Sequence, residues 1–133
     1  MSQTILVIDD FASVRLYHMS FLTRKGYQCI GATDGADALA KLAGHPVDLI
    51  LLDMVMPGMS GEAFVAELAK IPARAALPVL AITSEESRAQ ALLTGNSRPV
   101  SVLSKPVMPD VLLTAVQQLL SPATLQPVRA AGA

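Results

Sequence analysis

The sequence predicts an α/β fold, a doubly wound, three-layer (βα)5 sandwich around a five-stranded parallel sheet. Three observations predict it. Short aliphatic runs bounded by turn residues recur along all 133 residues, and such runs read as strands buried on both faces. The segments between them carry apolar residues at helical spacing, and strand–helix alternation implies parallel pairing with right-handed crossovers. Four of the five runs end in a reactive or charged side chain, as expected where strand C-terminal ends share one functional edge. The pattern is consistent with the strand order 2-1-3-4-5.

Thr4–Ile8, rich in β-branched residues, is the first strand and ends in the pair Asp9–Asp10. Phe11–Lys25 is the first helix, with Arg24 and Lys25 in its last turn and Gly26 as its stop. Tyr27–Ala32 is the second strand. Asp34 caps a helix over Gly35–Ala43 that ends at Gly44. The third strand, centred on the run Leu49–Leu52, ends on Asp53. A breaker segment with Pro57, Gly58 and Gly61 follows. A carboxylate is costly inside a buried strand but tolerated at its end, so Asp53 belongs at the C-terminal rim. Gly61–Lys70 is the third helix, stopped before Pro72. Pro78–Thr83 is the fourth strand, Glu85–Thr94 the fourth helix and Val100–Leu103 the fifth strand, closed by Ser104, Lys105 and Pro106. Pro109–Leu120 is the last helix, with proline in its first turn. The domain is expected over 1–121, with a short flexible tail over 122–133.

Composition narrows the class of protein. With 52% hydrophobic residues and a formal net charge of -1, the chain is not disordered and has no global charge drawing it to nucleic acid or membrane surfaces. No apolar run approaches the roughly 20 residues of a membrane span. The start MSQTILVIDD lacks a basic segment before its apolar run, so no signal peptide is expected. The single cysteine, Cys29, excludes an internal disulfide and suits a reducing, cytoplasmic setting. It falls in a strand and reads as a buried, inert thiol. His18 and His45 fall in a helix and a loop, away from the strand rim, and are expected at the surface.

The predicted topology gathers Asp9, Asp10 and Asp53 where strands one and three meet, with Thr83 and Lys105 further along the rim. Three clustered acids repel one another unless a cation offsets them. Magnesium suits such a site, since it takes one or two carboxylates and keeps places for water and phosphate oxygens. A lysine and a hydroxyl facing it suit a phosphoryl group, and a carboxylate can itself act as nucleophile to give an acyl phosphate.

In these residues the chain resembles the receiver domain of two-component response regulators. The acid pair after Thr4–Ile8, the segment Asp53-Met-Val-Met-Pro-Gly-Met-Ser-Gly, Thr83 closing strand four and Lys105-Pro106 closing strand five carry the resemblance, over about residues 3–120. It implies a flavodoxin-like fold of single-domain type. It implies that Asp53 accepts a phosphoryl group from a histidine kinase or phosphotransfer protein. It implies that Asp10, Asp53 and the Val55 backbone carbonyl bind Mg2+ directly, with Asp9 acting largely through water. Thr83 would hydrogen-bond phosphoryl oxygens, and Lys105, before a cis peptide to Pro106, would pair with the acyl phosphate. The protein would catalyse at most its own phosphorylation and dephosphorylation, and signal to a downstream protein target. Two alternatives stand beside this. A haloacid-dehalogenase-type phosphatase wants a second acid two residues after its nucleophile, where this chain has Val55. A receiver acting as a binding module without phosphorylation leaves the acid–hydroxyl–lysine set without a purpose.

The chain departs from the family in two places. The aromatic residue usual three positions before the lysine is replaced by Val102, and the preceding loop, Thr94–Pro99, lacks the usual Ala-Gly-Ala run. The face formed by Val107–Leu120 reads as unusually apolar, and a partner or a second copy is expected on the face of the fourth and fifth helices. Met54, Met56 and Met59 read as adaptable packing, and Pro57, Gly58 and Gly61 as loop-shaping residues.

Overall fold

A computed structural model describes residues 2–56, 58–84 and 98–121. The expected helix over Glu85–Thr94, most of the loop before Pro99, Pro57 and the tail over 122–133 lie outside the described residues. Five strands, β1 (Thr4–Ile8), β2 (Gln28–Ala32), β3 (Leu49–Asp53), β4 (Val79–Thr83) and β5 (Val100–Ser104), pair in parallel in the order β2-β1-β3-β4-β5. The described α-helices are α1 (Ala12–Arg24), α2 (Gly35–Gly44), α3 (Gly61–Leu68) and α4 (Pro109–Leu120), with a 3-10 turn at Pro72–Arg74 that periodicity alone does not reveal.

Strand alternation divides the core into two layers. Ile5, Val7, Leu49, Leu51, Leu80 and Ile82 face one side and pack with Leu22 of α1 and Leu112, Val116 and Leu119 of α4. Leu6, Ile8, Ile50, Leu52, Val79 and Ala81 face the other and pack with Ala38 and Leu42 of α2 and Phe64 and Leu68 of α3. Both faces of β1, β3 and β4 are therefore buried, which is why those strands read as continuous apolar runs rather than alternating ones. In α4 the residues Leu112, Ala115, Val116 and Leu119 are buried while Asp110, Thr114, Gln117 and Gln118 are exposed. The expectation of an apolar outer face over Val107–Leu120 is corrected accordingly. The helix spends its apolar stripe on its own sheet, and only Met108 and Val111 remain largely exposed.

Local chemistry sets the element ends. Asp34 caps α2 by accepting from the Asp37 amide at 2.8 Å, and Ser60 caps α3 by accepting from the Ala63 amide at 3.1 Å. Gly26 ends α1 with φ +100°, a left-handed conformation that glycine adopts without steric cost. The loop after β3 folds back on Met54, whose carbonyl accepts from the Gly61 amide at 3.1 Å. A Cβ at Gly61 would stand 2.7 Å from Met54 Sδ and 2.9 Å from its Cα, so only glycine permits that approach. Met54 and Met56 are buried, and Met59 packs partly buried against the core.

The end of the sheet away from the acids is tied by two arginines in series. Arg98, buried at the entry to β5, donates through Nη1 to the carbonyls of Arg74 at 2.8 Å and Leu77 at 3.0 Å. Arg74 in turn donates to the carbonyls of Leu42 and His45 at the end of α2. Arg98→Met should lower stability by about 2 kcal/mol, because one part-buried and one buried carbonyl contact lose a charged donor. Gly61→Ala should lower it by about 1–3 kcal/mol through overpacking against Met54, despite alanine's higher helix propensity. Denaturant midpoints at unchanged m-value measure both.

Candidate functional site

The register builds the site before any side chain is considered. Ile8 lies opposite Leu52 across the β1–β3 pair, so the next residues, Asp9 and Asp53, leave the sheet side by side. Asp53 pairs with Ile82, and Thr83 with Ser104. The ends of β1, β3, β4 and β5 thus step around one rim, as the sequence predicts.

Asp9, Asp10 and Asp53 each bring a carboxylate oxygen within 4.8 Å of the other two. Asp53 is 4% exposed, and its Oδ1 accepts from the Val55 amide and from Lys105 Nζ, each at 3.2 Å. Asp9 is equally buried. Its Oδ1 accepts from the Phe11 amide at 3.0 Å, and its main-chain carbonyl accepts from Arg15 Nη1 at 2.8 Å. Asp10 Oδ1 is buried without a hydrogen-bond partner. Burial pushes the Asp9 carboxyl above its ordinary value. The Phe11 amide opposes the rise, Asp53 adds to it, Lys105 opposes it and Asp10 adds a last small increment. An orphaned carboxylate oxygen beside two other buried acids is costly in a protein interior. An all-oxygen, anionic donor set of this kind fits a hard divalent cation.

Thr83 is fully buried at the end of β4, and its carbonyl accepts from the Lys105 amide at 3.0 Å. The Lys105–Pro106 peptide is cis. Val55 is 45% exposed beside Asp53, and its amide, rather than its carbonyl, makes the described contact to that residue. Gly58 has φ +81°, in keeping with a loop-shaping role. Val102, where the family pattern carries an aromatic, is half-buried and packs against the α2–α3 side of the core.

Two residues near the site escape sequence reasoning. Arg15 is one, bracing the Asp9 carbonyl from the first turn of α1. His18 is the other, and its expected surface position is corrected. It is 7% exposed and lines a cavity of about 400 Å³ together with Asp9, Val14, Ile82, Lys105, Pro106 and Val107. The signal that hides it is the weak amphipathicity of α1, which leaves Phe11, Leu16 and Tyr17 exposed and turns a histidine inward. His45 is exposed, as expected. Cys29 is half-buried with its thiol directed to the Met19 carbonyl, and burial raises its pKa, which suits an inert thiol. No helix among the described residues is long and apolar enough to cross a membrane.

Comparison with known proteins agrees with this geometry. The family model for the response regulator receiver domain matches residues 5–117. The chain is 38% identical over 120 residues to the response regulator PleD of Caulobacter vibrioides, covering 90% of this chain and 26%, about a quarter, of PleD. It is 27% identical over 117 residues to protein PilH of Pseudomonas aeruginosa, covering 88% of this chain and 97% of that protein. Among solved structures, the chemotaxis response regulator CheY4 of Vibrio cholerae matches with a TM-score of 0.80 and 31% identity, over 90% of this chain and 100% of that one. With its acid cluster, its rim lysine and its 2-1-3-4-5 sheet, the chain belongs to the response regulator receiver domain family.

Proposed function

We propose that Asp53 is the phosphoacceptor of a two-component signalling reaction, taking its phosphoryl group from a histidine kinase or phosphotransfer protein. The observation that carries this reading is the contact of Lys105 Nζ with Asp53 Oδ1 beside two further carboxylates, one with an orphaned oxygen. A carboxylate oxygen of Asp53 attacks phosphorus, the P–N bond of the donor's phosphohistidine breaks, and the departing imidazole keeps that electron pair and takes up a proton. Lys105 offsets negative charge on the transferring group, as phosphoryl transfer requires. The Thr83 hydroxyl, on the neighbouring strand end, is assigned to a phosphoryl oxygen.

Asp10 and Asp53, with the Val55 carbonyl, would hold Mg2+, and Asp9 would act through water. The donor set fits the ion, and the unpartnered Asp10 oxygen gives it a place. When bound, the ion supplies charge neutralisation on the phosphoryl oxygens. The chain acts on its own side chain rather than turning over a second substrate, and its output is altered binding to a protein target in the cytoplasm. A second copy would dock through Met108 and Val111 rather than through the buried stripe of α4.

Acetyl phosphate with Mg2+ should label the wild-type protein and leave Asp53→Asn unlabelled. Persistent acid-labile label on the variant would sink the assignment. The metal-free protein offers a second test. Asp9 has a folded-state pKa above its ordinary 3.8, so its contribution favours folding below that value and is lost as pH rises through the folded pKa. Asp9→Asn removes the cost of the ionised form. Thermal melts without metal should show the variant more stable than wild type at pH 7, with the gain vanishing near pH 3, and Mg2+ should stabilise it less than wild type.

A further inference from the structure

The cavity behind Lys105 holds a polar group for which the phosphoacceptor scheme has no use. His18 projects from α1 into that space among Val14, Ile82, Pro106 and Val107. It is more than nine-tenths buried. Among the described residues neither of its ring nitrogens meets a hydrogen-bond partner, and the ring's neighbour is Tyr17 in a tilted contact at 5.6 Å. With no protein partner, the ring nitrogens open onto the cavity, where water can bond them. The polar edge of the ring is thus turned toward the space it shares with Lys105.

Lys105 has donors to spare on the cavity side. An ammonium carries three N–H donors. Among the described residues it meets one acceptor, Asp53 Oδ1 at 3.2 Å. Its side chain is 39% exposed, so part of it faces solvent and part the cavity. Burial, and then the Lys105 charge, push the imidazole pKa below its ordinary value, with Asp53 opposing, which favours the neutral ring. A neutral ring has one acceptor nitrogen. A cavity of about 400 Å³ has room for water between the ring and the ammonium.

We propose that His18 is a positioning residue for Lys105, accepting from the ammonium through cavity water and so holding Nζ on the line to Asp53. The inference rests on the reading of Asp53 as phosphoacceptor. As the phosphoryl group arrives, Nζ must shift from a carboxylate oxygen to a phosphoryl oxygen. The anchor on the α1 side lets it do so without swinging into solvent. His18 touches no reacting atom and acts through Lys105 alone.

Replacement with leucine, glutamine and asparagine tests this. His18→Leu should fold with stability close to that of wild type, because leucine keeps most of the buried apolar contact of the ring. Its saturating rate of phosphorylation by acetyl phosphate with Mg2+ should fall about tenfold, the factor one hydrogen bond carries, with donor half-saturation unchanged. His18→Gln or His18→Asn, which keep an acceptor, should recover most of the rate. In 15N-lysine-labelled protein without any phosphoryl donor, the Lys105 Nζ resonance should move in the leucine variant and return toward wild type in the glutamine or asparagine variant. A leucine variant that is labelled within twofold of wild type, with an unmoved Lys105 resonance, overturns the proposal. Should the leucine variant fail to fold, His18→Val takes its place in the same measurements. Wild-type protein that takes no label overturns the phosphoacceptor reading instead, and the Lys105 resonance then decides His18 by itself.

Discussion

Three carboxylates are held together at the ends of β1 and β3, two of them almost fully buried. Like charges at that spacing oppose folding, and their hydration is reduced where the strands end. What holds them is the packing beneath. The three central strands, β1, β3 and β4, are buried on both faces and allow no slack in register, because a slip of one residue would exchange the α1–α4 face for the α2–α3 face along the whole strand. The apolar core is thus the restraint that keeps an electrostatically unfavourable cluster in place. A cation at this rim would relieve that repulsion, whereas a phosphoryl group adds negative charge that the cation and Lys105 would have to offset.

The compensations already present are few and directional. The Phe11 amide serves Asp9, the Val55 amide serves Asp53, and Lys105 reaches Asp53 from β5. None serves the buried Asp10 oxygen. Such partial satisfaction differs from that of a structural ion pair, in which each oxygen finds a donor. The three acids could hold a cation, and the Asp10 oxygen is where a ligand place stands open.

Much of this was legible in the sequence, and for a physical reason. Strands buried on both faces announce themselves as unbroken aliphatic runs, and the residue that ends each run is automatically a rim residue. Asp9, Asp53, Thr83 and Lys105 followed from that rule, as did the strand order once the family resemblance was added. The features that escaped depend on which way a helix turns about its axis. His18 looked like surface because α1 lacks a clean apolar stripe. The last helix looked apolar outside because its stripe was counted without the sheet it covers. The Arg98–Arg74 link escaped as well, since it depends on chain segments brought together only by folding.

The buried guanidinium at the start of β5 makes that strand unequal at its two ends. Arg98 is locked to two carbonyls under the sheet, whereas Ser104 and Lys105 are exposed at the other end and every residue between is at best half-buried. The start of β5 is thus held by a buried side chain and its far end by exposed residues. The strand resembles a reed clamped at its base, able to yield at the tip where the phosphoryl group would be felt. An asymmetry of this kind resides in the anchoring of the backbone and does not need an aromatic ring at Val102.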